Sequence, residues 1–335
     1  MRAPEFWGAK PGLVAGLLSP AGAAWDAAGR LRRAVARPYR APAPVICVGN
    51  IVAGGSGKTP VVLSLATILT EEGTAPHAVT RGYGGRLAGP VRVDPARHDA
   101  AQVGDEALLL AARLPCWVAR DRGAGIRSAI AAGAGSILLD DGFQNPGIAK
   151  DLSLIVVDSA YGFGNRRVIP AGPLRERVEP ALARADAIVL IGDATGPERL
   201  RRAGRPVLRA VLAPVDGGRF AGKTVLAFAG IGRPAKFFAT LRELGATLAA
   251  ARGFTDHHRY RPAEIEALRR EAEKLGAGLV TTAKDWVRLD PECRAGIAVL
   301  EVDIAWRDPA APKGLLAPII RTAAGHDSRA GAARG

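Results

Sequence analysis

Sulfur is nearly absent from this chain: 335 residues carry three cysteines and one methionine. Cys47, Cys116 and Cys293 are far apart and odd in number, so they offer neither a disulfide framework nor a zinc spacing. That scarcity points to a reducing compartment. Histidine is sparse as well, and His77, His98 and His326 show no metal-ligand spacing. Aromatic residues make up only 5%. No helix-turn-helix, zinc or aromatic-basic pattern argues for nucleic acid. Long apolar runs are missing too. The longest uncharged stretch near the N-terminus, residues 11–25, is interrupted by Gly12, Gly16, Pro20 and Gly22, too short and broken to cross a membrane. It has the length of a signal-peptide core, but Glu5, Phe6 and Trp7 stand where a basic leader belongs.

Arginine is what the chain has in excess. Lys plus Arg number 46 against 32 Asp plus Glu, a net charge of +14, and only eight of the 46 are lysine. A surplus of this sign favours anionic partners: nucleotides, nucleic acid or an acidic membrane surface. With 48% hydrophobic and 23% charged residues the balance is that of a globular protein, long enough for two domains.

Residues 1–40 stand apart. Phe6, Trp7, Leu13, Val14, Leu17, Leu18 and Trp25 are followed by Arg30, Arg32, Arg33, Arg37 and Arg40. Apolar bulk followed by an Arg cluster suits an amphipathic helix in a membrane interface. A helix packed on the protein with its basic face outward fits equally. From residue 41 to 215 short β-rich runs alternate with helical periodicity: strands over 45–48, 77–80, 116–119, 136–140, 152–158 and 187–191, helices over 58–72, 105–113 and 122–132. Such alternation predicts right-handed crossovers and a mainly parallel sheet. A Pro/Gly-rich boundary at 212–219 precedes a second α/β set spanning 216–310. Its strands are expected at 224–229, 247–250, 279–282 and 297–302, its helices at 234–244 and 262–275. Residues 311–335, rich in Ala, Gly, Pro and Arg, read as a flexible tail.

Gly54-Gly55-Ser56-Gly57-Lys58-Thr59 lies directly between a predicted strand and a helix. Glycines there let backbone amides close on phosphate oxygens, Lys58 reaches the β/γ-phosphates and Thr59 can ligate Mg²⁺. Val52 takes the place of the usual first glycine, so residues 52–59, including Ala53, form a variant P-loop. The strand 136–140 ends in Asp140-Asp141-Gly142-Phe143-Gln144, the arrangement by which P-loop proteins hold Mg²⁺. Gly104-Asp105-Glu106 opens a helix and by itself reads as a cap. Asp256-His257-His258 by itself reads as a turn element. Arg81, Tyr83 and Arg86 follow a strand end, and Arg175 sits in a stiff Pro/Gly loop. Arg81 and Arg86 suit a phosphate, and a plain solvent loop fits that stretch equally. Lys284-Asp285 ends a strand of the second set.

Together these stretches resemble the tetraacyldisaccharide 4′-kinase family. The resemblance is carried by Pro4-Glu5-Phe6-Trp7, residues 48–60, Arg81-Gly82-Tyr83-Gly84, Gly104-Asp105-Glu106, Asp140-Asp141-Gly142-Phe143-Gln144, residues 170–176, Asp256-His257 and Lys284-Asp285, in the family's order. One departure is Thr281-Thr282-Ala283-Lys284, where the family pattern reads Thr-Glu-Lys. The resemblance implies two α/β/α sandwich domains, the first of P-loop type, with the site in the cleft between them. It implies ATP and Mg²⁺ as cofactors and transfer of the γ-phosphate to the 4′-hydroxyl of an acylated glucosamine disaccharide 1-phosphate. It places the protein at the cytoplasmic face of the inner membrane, with no nucleic acid and no obligatory protein partner. Lys58 and the loop would hold ATP. Thr59 and Asp141 would organise Mg²⁺, with Glu106, Asp140 and Gln144 nearby. Asp105 would accept the hydroxyl proton with His257 as its partner, preferred to His258 for its place after Asp256. Arg81, Tyr83, Arg86 and Arg175 would meet the substrate. The alternative is a partitioning or site-selection regulatory ATPase. Its loop carries a lysine where this chain has Ala53, and it leaves Asp105 and His257 without a task.

Overall fold

A computed structural model describes residues 4–332; positions 1–3 and 333–335, which fall in the expected N-terminal segment and tail, lie outside the described residues. In chain order the strands are β1 Val45–Gly49, β2 Pro76–Thr80, β3 Val91–Arg92, β4 Cys116–Val118, β5 Ser136–Asp140, β6 Leu152–Asp158, β7 Ala187–Ile191, β8 Val207–Pro214, β9 Thr224–Ala229, β10 Thr247–Gly253, β11 Gly278–Thr282, β12 Ile297–Leu300 and β13 Val302–Trp306. The helices are α1 Leu13–Val35, α2 Lys58–Glu71, α3 Ala100–Val103, α4 Asp105–Ala111, α5 Arg122–Ala131, α6 Val178–Arg184, α7 Glu198–Arg202, α8 Pro234–Glu243, α9 Pro262–Lys274, α10 Ala283–Trp286 and α11 Ala310–Ala332.

The larger sheet has nine strands in the order β13-β8-β7-β6-β1-β5-β2-β4-β3. Pairing is parallel except where β3 and β13 join its edges. The central strands β1, β5, β6 and β7 are buried along their whole length, as expected when helices cover both faces of a parallel sheet. Alternation along β1 divides the core: Ile46 and Val48 face one apolar cluster, Val45 and Cys47 the other. β1 pairs with β5 on one side and β6 on the other, so strand order reverses at β1. Open α/β sheets leave a crevice at such a switch point, beyond the carboxyl ends of the strands. The P-loop leaves β1 at that crevice.

The smaller sheet is all parallel, in the order β10-β9-β11-β12. Phe237 and Leu241 of α8 cover one face, and Ile265, Leu268 and Ala272 of α9 the other.

Two expected boundaries are corrected. The strand expected at 297–302 is two strands broken at Glu301, and β13 pairs antiparallel with β8 rather than inside the second set. The second unit therefore ends near Leu300, not at 310, because the pattern of Val302–Trp306 completes the first sheet's edge. Trp306 also donates its Nε1–H to Ser64 Oγ of α2 at 2.8 Å. Nor does regular structure stop at residue 310, since α11 follows within the described residues. Leu316 and Ile319 of α11 are buried in the first unit's core, so apolar burial outweighs a composition that favours disorder.

Helix α1 packs one face on the protein, as the second reading of residues 1–40 expects, and leaves the other in solvent. Ala15, Gly22 and Asp26 face the protein and are buried. A Cβ at Gly22 would lie 2.7 Å from the Val168 carbonyl oxygen, so only glycine permits that approach. On the opposite side Leu13, Leu17, Leu31 and Val35, at helical spacing, are 89%, 81%, 66% and 70% exposed.

Candidate active site

Asn50, buried after β1, braces the P-loop from inside. Its amide donates to the Val52 carbonyl at 2.7 Å and to Ser56 Oγ at 2.9 Å. From outside, Ala53 N–H donates to the Pro173 carbonyl at 2.8 Å. Gly54 and Gly57 take φ of +112° and +83°, conformations that turn the loop over before α2 begins. Lys58 and Thr59 are buried in the first turn of α2, where the helix N-terminus adds positive potential.

Asp140 and Asp141 end β5 with different surroundings. Asp140 is fully buried and neither carboxylate oxygen has a partner. Burial, then the charge of Glu106, pushes its pKa up to about 7 against the pull of Lys58. Asp141 turns into the cleft with φ of +56°. It receives Arg175 Nη1 at 2.9 Å and lies 3.7 Å from Lys58 Nζ. Burial works to raise its pKa, but Lys58 and Arg175 prevail and hold it below the usual carboxylate range. Gln144 is occupied elsewhere: its amide donates to the Asn50 carbonyl at 2.8 Å and to Glu176 at 3.3 Å. The structure thus gives Gln144 a contact with Asn50, the residue that braces the P-loop. Among the described residues no three His, Cys, Asp or Glu side chains gather into a self-contained metal cage. The unpartnered oxygens of Asp140 beside Thr59 and Asp141 nevertheless suit a hard cation that takes its remaining ligands from phosphates and water.

Across the cleft, His257 Nδ1 lies 2.9 Å from Asp105 Oδ2. Asp105 is the first residue of α4, and Gly104 precedes it at φ +87° with the Tyr83 carbonyl 2.5 Å from where a Cβ would stand. The close packing of Gly104 fixes where the helix starts. Burial alone would raise the Asp105 pKa, yet the hydrogen bond from His257 and the charges of Lys284 and Arg288 hold it well below the ordinary value. Glu106 pairs with Lys284 at 3.1 Å. Burial would lower the Lys284 pKa, but Glu106 and Asp105 raise it. His257 and His258 part company here. His257 faces the cleft with the Tyr83 ring 5.5 Å away, whereas His258 stacks on Phe254 and sits 3.3 Å from Glu264 inside the second unit.

The cleft has a volume of about 1600 Å³ and is lined by residues 52–59, Tyr83, Glu106, Asp141, Arg175, His257 and Lys284 together. Arg81 and Arg86 are exposed and do not line it. Several functional side chains carried no signal in the sequence. Arg233 at the start of α8 donates to Asp158 at 2.7 Å and to the Gly55 carbonyl at 3.4 Å, joining the second unit to the P-loop. Arg122 is buried close enough to Asp140 and Asp141 to feel their charge. Arg288 reaches Asp105 from the second unit. Only Asn50 could have been suspected, from its place just before the loop.

The segment carrying Arg175 is gripped by α1. Trp25 Nε1 donates to the Arg175 carbonyl at 3.1 Å, Asp26 pairs with Arg177 at 2.9 Å and Arg33 with Glu176 at 3.3 Å.

Comparison with known proteins gives one consistent result. Residues 14–320 match the family described as Tetraacyldisaccharide-1-P 4'-kinase. The chain is 57% identical to the tetraacyldisaccharide 4'-kinase of Rhodospirillum centenum, covering 96% of this chain and 97% of that one. It is 54% identical to the enzyme of the same name from Paramagnetospirillum magneticum, covering 96% and 98%. The fold matches the crystal structure of LpxK from Aquifex aeolicus in complex with ATP, with a TM-score of 0.74 at 24% identity over 92% of this chain and all of that one.

Proposed function

The chain belongs to the tetraacyldisaccharide-1-phosphate 4′-kinase family, and from that premise we propose that it transfers the γ-phosphate of ATP to the 4′-hydroxyl of an acylated glucosamine disaccharide 1-phosphate in lipid A biosynthesis. It is an ATP-dependent lipid kinase. The observation that carries this reading is the 2.9 Å contact between buried Asp105 and His257, a histidine that lines the same cleft as the P-loop. A regulatory ATPase would leave that pair without a role.

Phosphoryl transfer demands positioning and charge neutralisation more than covalent chemistry. The loop amides and Lys58 hold the ATP phosphates. Thr59, Asp140 and Asp141 would hold Mg²⁺, with Glu106 close by; the ion would neutralise phosphate charge when bound. Asp105 Oδ2 is crowded by His257 and Arg288, while among the described residues Oδ1 accepts only the Glu106 amide, at 2.9 Å. Oδ1 is therefore the oxygen that takes the proton of the substrate hydroxyl. A strongly ionised carboxylate is a weak base toward an alcohol, so His257 shares the proton load through the other oxygen. Tyr83 beside His257, and Arg175 at Asp141, are the expected substrate residues that line the cleft. Arg81 and Arg86 stand outside the lining and would act at its rim.

The protein works at the cytoplasmic face of the inner membrane in this reading. No described helix is long and apolar enough to cross a bilayer. The outer stripe of α1, flanked by Arg30, Arg32, Arg37 and Arg40, is shaped to lie in the interface, where each basic residue near an anionic leaflet adds about 1 kcal/mol. The deciding experiment follows labelled phosphate from ATP to the acylated disaccharide 1-phosphate in detergent micelles. Product is expected with the parent chain and not with Asp105→Ala. Intact ATP binding without any lipid product would overturn the reading.

A further inference from the structure

Arg288 is unusual in a chain whose arginines are mostly at the surface: its side chain is 4% exposed. We infer that Arg288 is a positioning residue for the Asp105–His257 pair, tying the second unit to the carboxylate of the first and fixing the backbone that carries the histidine. This assignment rests on the proton-handling role proposed for that pair.

The guanidinium divides its donors between two directions. Nε donates to Asp105 Oδ2 at 2.7 Å, and Nη2 donates to the same oxygen. Nη1 donates to the Gly230 carbonyl at 2.7 Å and to Asp285 Oδ1 at 3.0 Å. The Gly230 carbonyl also accepts the backbone N–H of His257 at 3.1 Å. One side chain therefore touches the carboxylate of the pair and the carbonyl on which its histidine hangs. His257 needs that support, because its φ of +57° is a conformation non-glycine residues seldom adopt.

Behind Arg288 stands a fixed anchor. Asp285 is fully buried and accepts Gly230 N–H at 2.9 Å, the Tyr260 hydroxyl at 2.9 Å and the Thr282 hydroxyl at 2.7 Å. Gly230 itself cannot gain a side chain, since a Cβ would meet His258 Cβ at 2.9 Å and the Thr255 carbonyl at 3.0 Å. A planar fork held on such a base has its direction set before Asp105 arrives. Lysine would supply the charge, but from a single nitrogen without the planar fork that spans acceptors on two sides. Without the guanidinium, two buried carboxylates would lose their shared cation, and Asp105 could rotate off His257.

The test uses the full chain in micelles, with ATP and an acylated glucosamine disaccharide 1-phosphate as substrates. Arg288→Met is expected to lower kcat about 10²-fold, the scale of a small misplacement of reacting groups, with the KM for ATP within about threefold of the parent. Arg288→Lys should fall between the two, and it decides the matter if the Met variant does not fold. A purely structural defect would add to the loss in His257→Ala. A positioning residue should not, so Arg288→Met,His257→Ala is expected to turn over about as fast as His257→Ala alone. Parent-like kcat in the Lys and Met variants, or full additivity in the double variant, overturns the assignment. Asp105→Ala and His257→Ala run alongside: if they keep normal turnover, the proton-handling reading falls and this inference with it. If they lose turnover while the Arg288 variants do not, only Arg288 is misassigned.

Discussion

The two sheets bring opposite charge to one cleft. The larger unit presents Asp105, Glu106 and Asp158 across it. The smaller presents His257 and Arg288 to the first, Lys284 to the second, and Arg233 with Lys236 to the third. The larger unit also pays a local cost, stacking Asp140 and Asp141 at one strand end where burial disfavours both charges. The smaller unit buries charge as well, at Asp285 and Arg288, but each there has its partner in the other. The difference teaches a division of charge: in the proposed function one unit would bind the nucleotide and carry the acids, Asp105 among them, and the other would supply the histidine and arginine that meet Asp105.

The sharpest way to break this division is to compare Lys58→Ala with His257→Ala. Both are expected to cut kcat by about 10² to 10⁴-fold. Only Lys58→Ala should also weaken nucleotide binding, measured by titration with a fluorescent ATP analogue. Equal damage to binding in both would erase the distinction between the units.

A second comparison concerns stability. Leu316 is fully buried against the larger sheet although it follows the whole smaller unit in sequence. Leu316→Ala should cost about 3 kcal/mol in denaturant unfolding. A loss of a few tenths would mean that α11 contributes little to that core.

The charge cost at Asp140 should show as pH dependence in the metal-free chain. Its folded pKa, about 7, lies above the unfolded value of 3.8, so its contribution is favourable at low pH and is lost as pH rises through 7. Asp140→Asn cannot ionise and escapes that loss. Its Tm should therefore exceed the parent's by about 2 °C or more at pH 8, with a smaller gain at pH 5. A gain that grows toward acid would reverse the sign and refute the account.

The smallest stability effect is expected on the outer face of α1. Leu13→Gln, Leu17→Gln and Leu31→Gln together should abolish binding to anionic vesicles in a flotation assay. Each should change unfolding stability by no more than about 0.5 kcal/mol, because those side chains already stand in solvent.

Much of the larger unit was legible in advance because its signals are local. An apolar run, a glycine turn and a helical period place the P-loop between β1 and α2, and an apolar strand ending in two acids places Asp140 and Asp141. The smaller unit was legible as strands and helices but hardly as chemistry. Arg288 stands four residues after Lys284 in a chain full of arginine, and nothing in its neighbours marks it as buried. The edge pair β8 and β13 was missed because the partners lie some ninety residues apart and each run is only half-buried. The tail was misjudged because Ala, Gly and Pro obscure the two apolar positions that dock. Gln144 reads as a neighbour of the metal from its place after Asp141, and its contact with Asn50 has no local mark in the sequence.

The antiparallel seam between β8 and β13 has a consequence for how the molecule is made. On a ribosome, β8 emerges well before the strand that closes beside it, and the entire smaller unit is synthesised in between. Until then α2 lacks Trp306 and Leu316, so the helix that begins with Lys58 keeps an apolar flank open to solvent. The nascent chain thus holds a phosphate-binding loop on an unfinished support. Its final packing waits for the second half of the catalytic pair to be already in place.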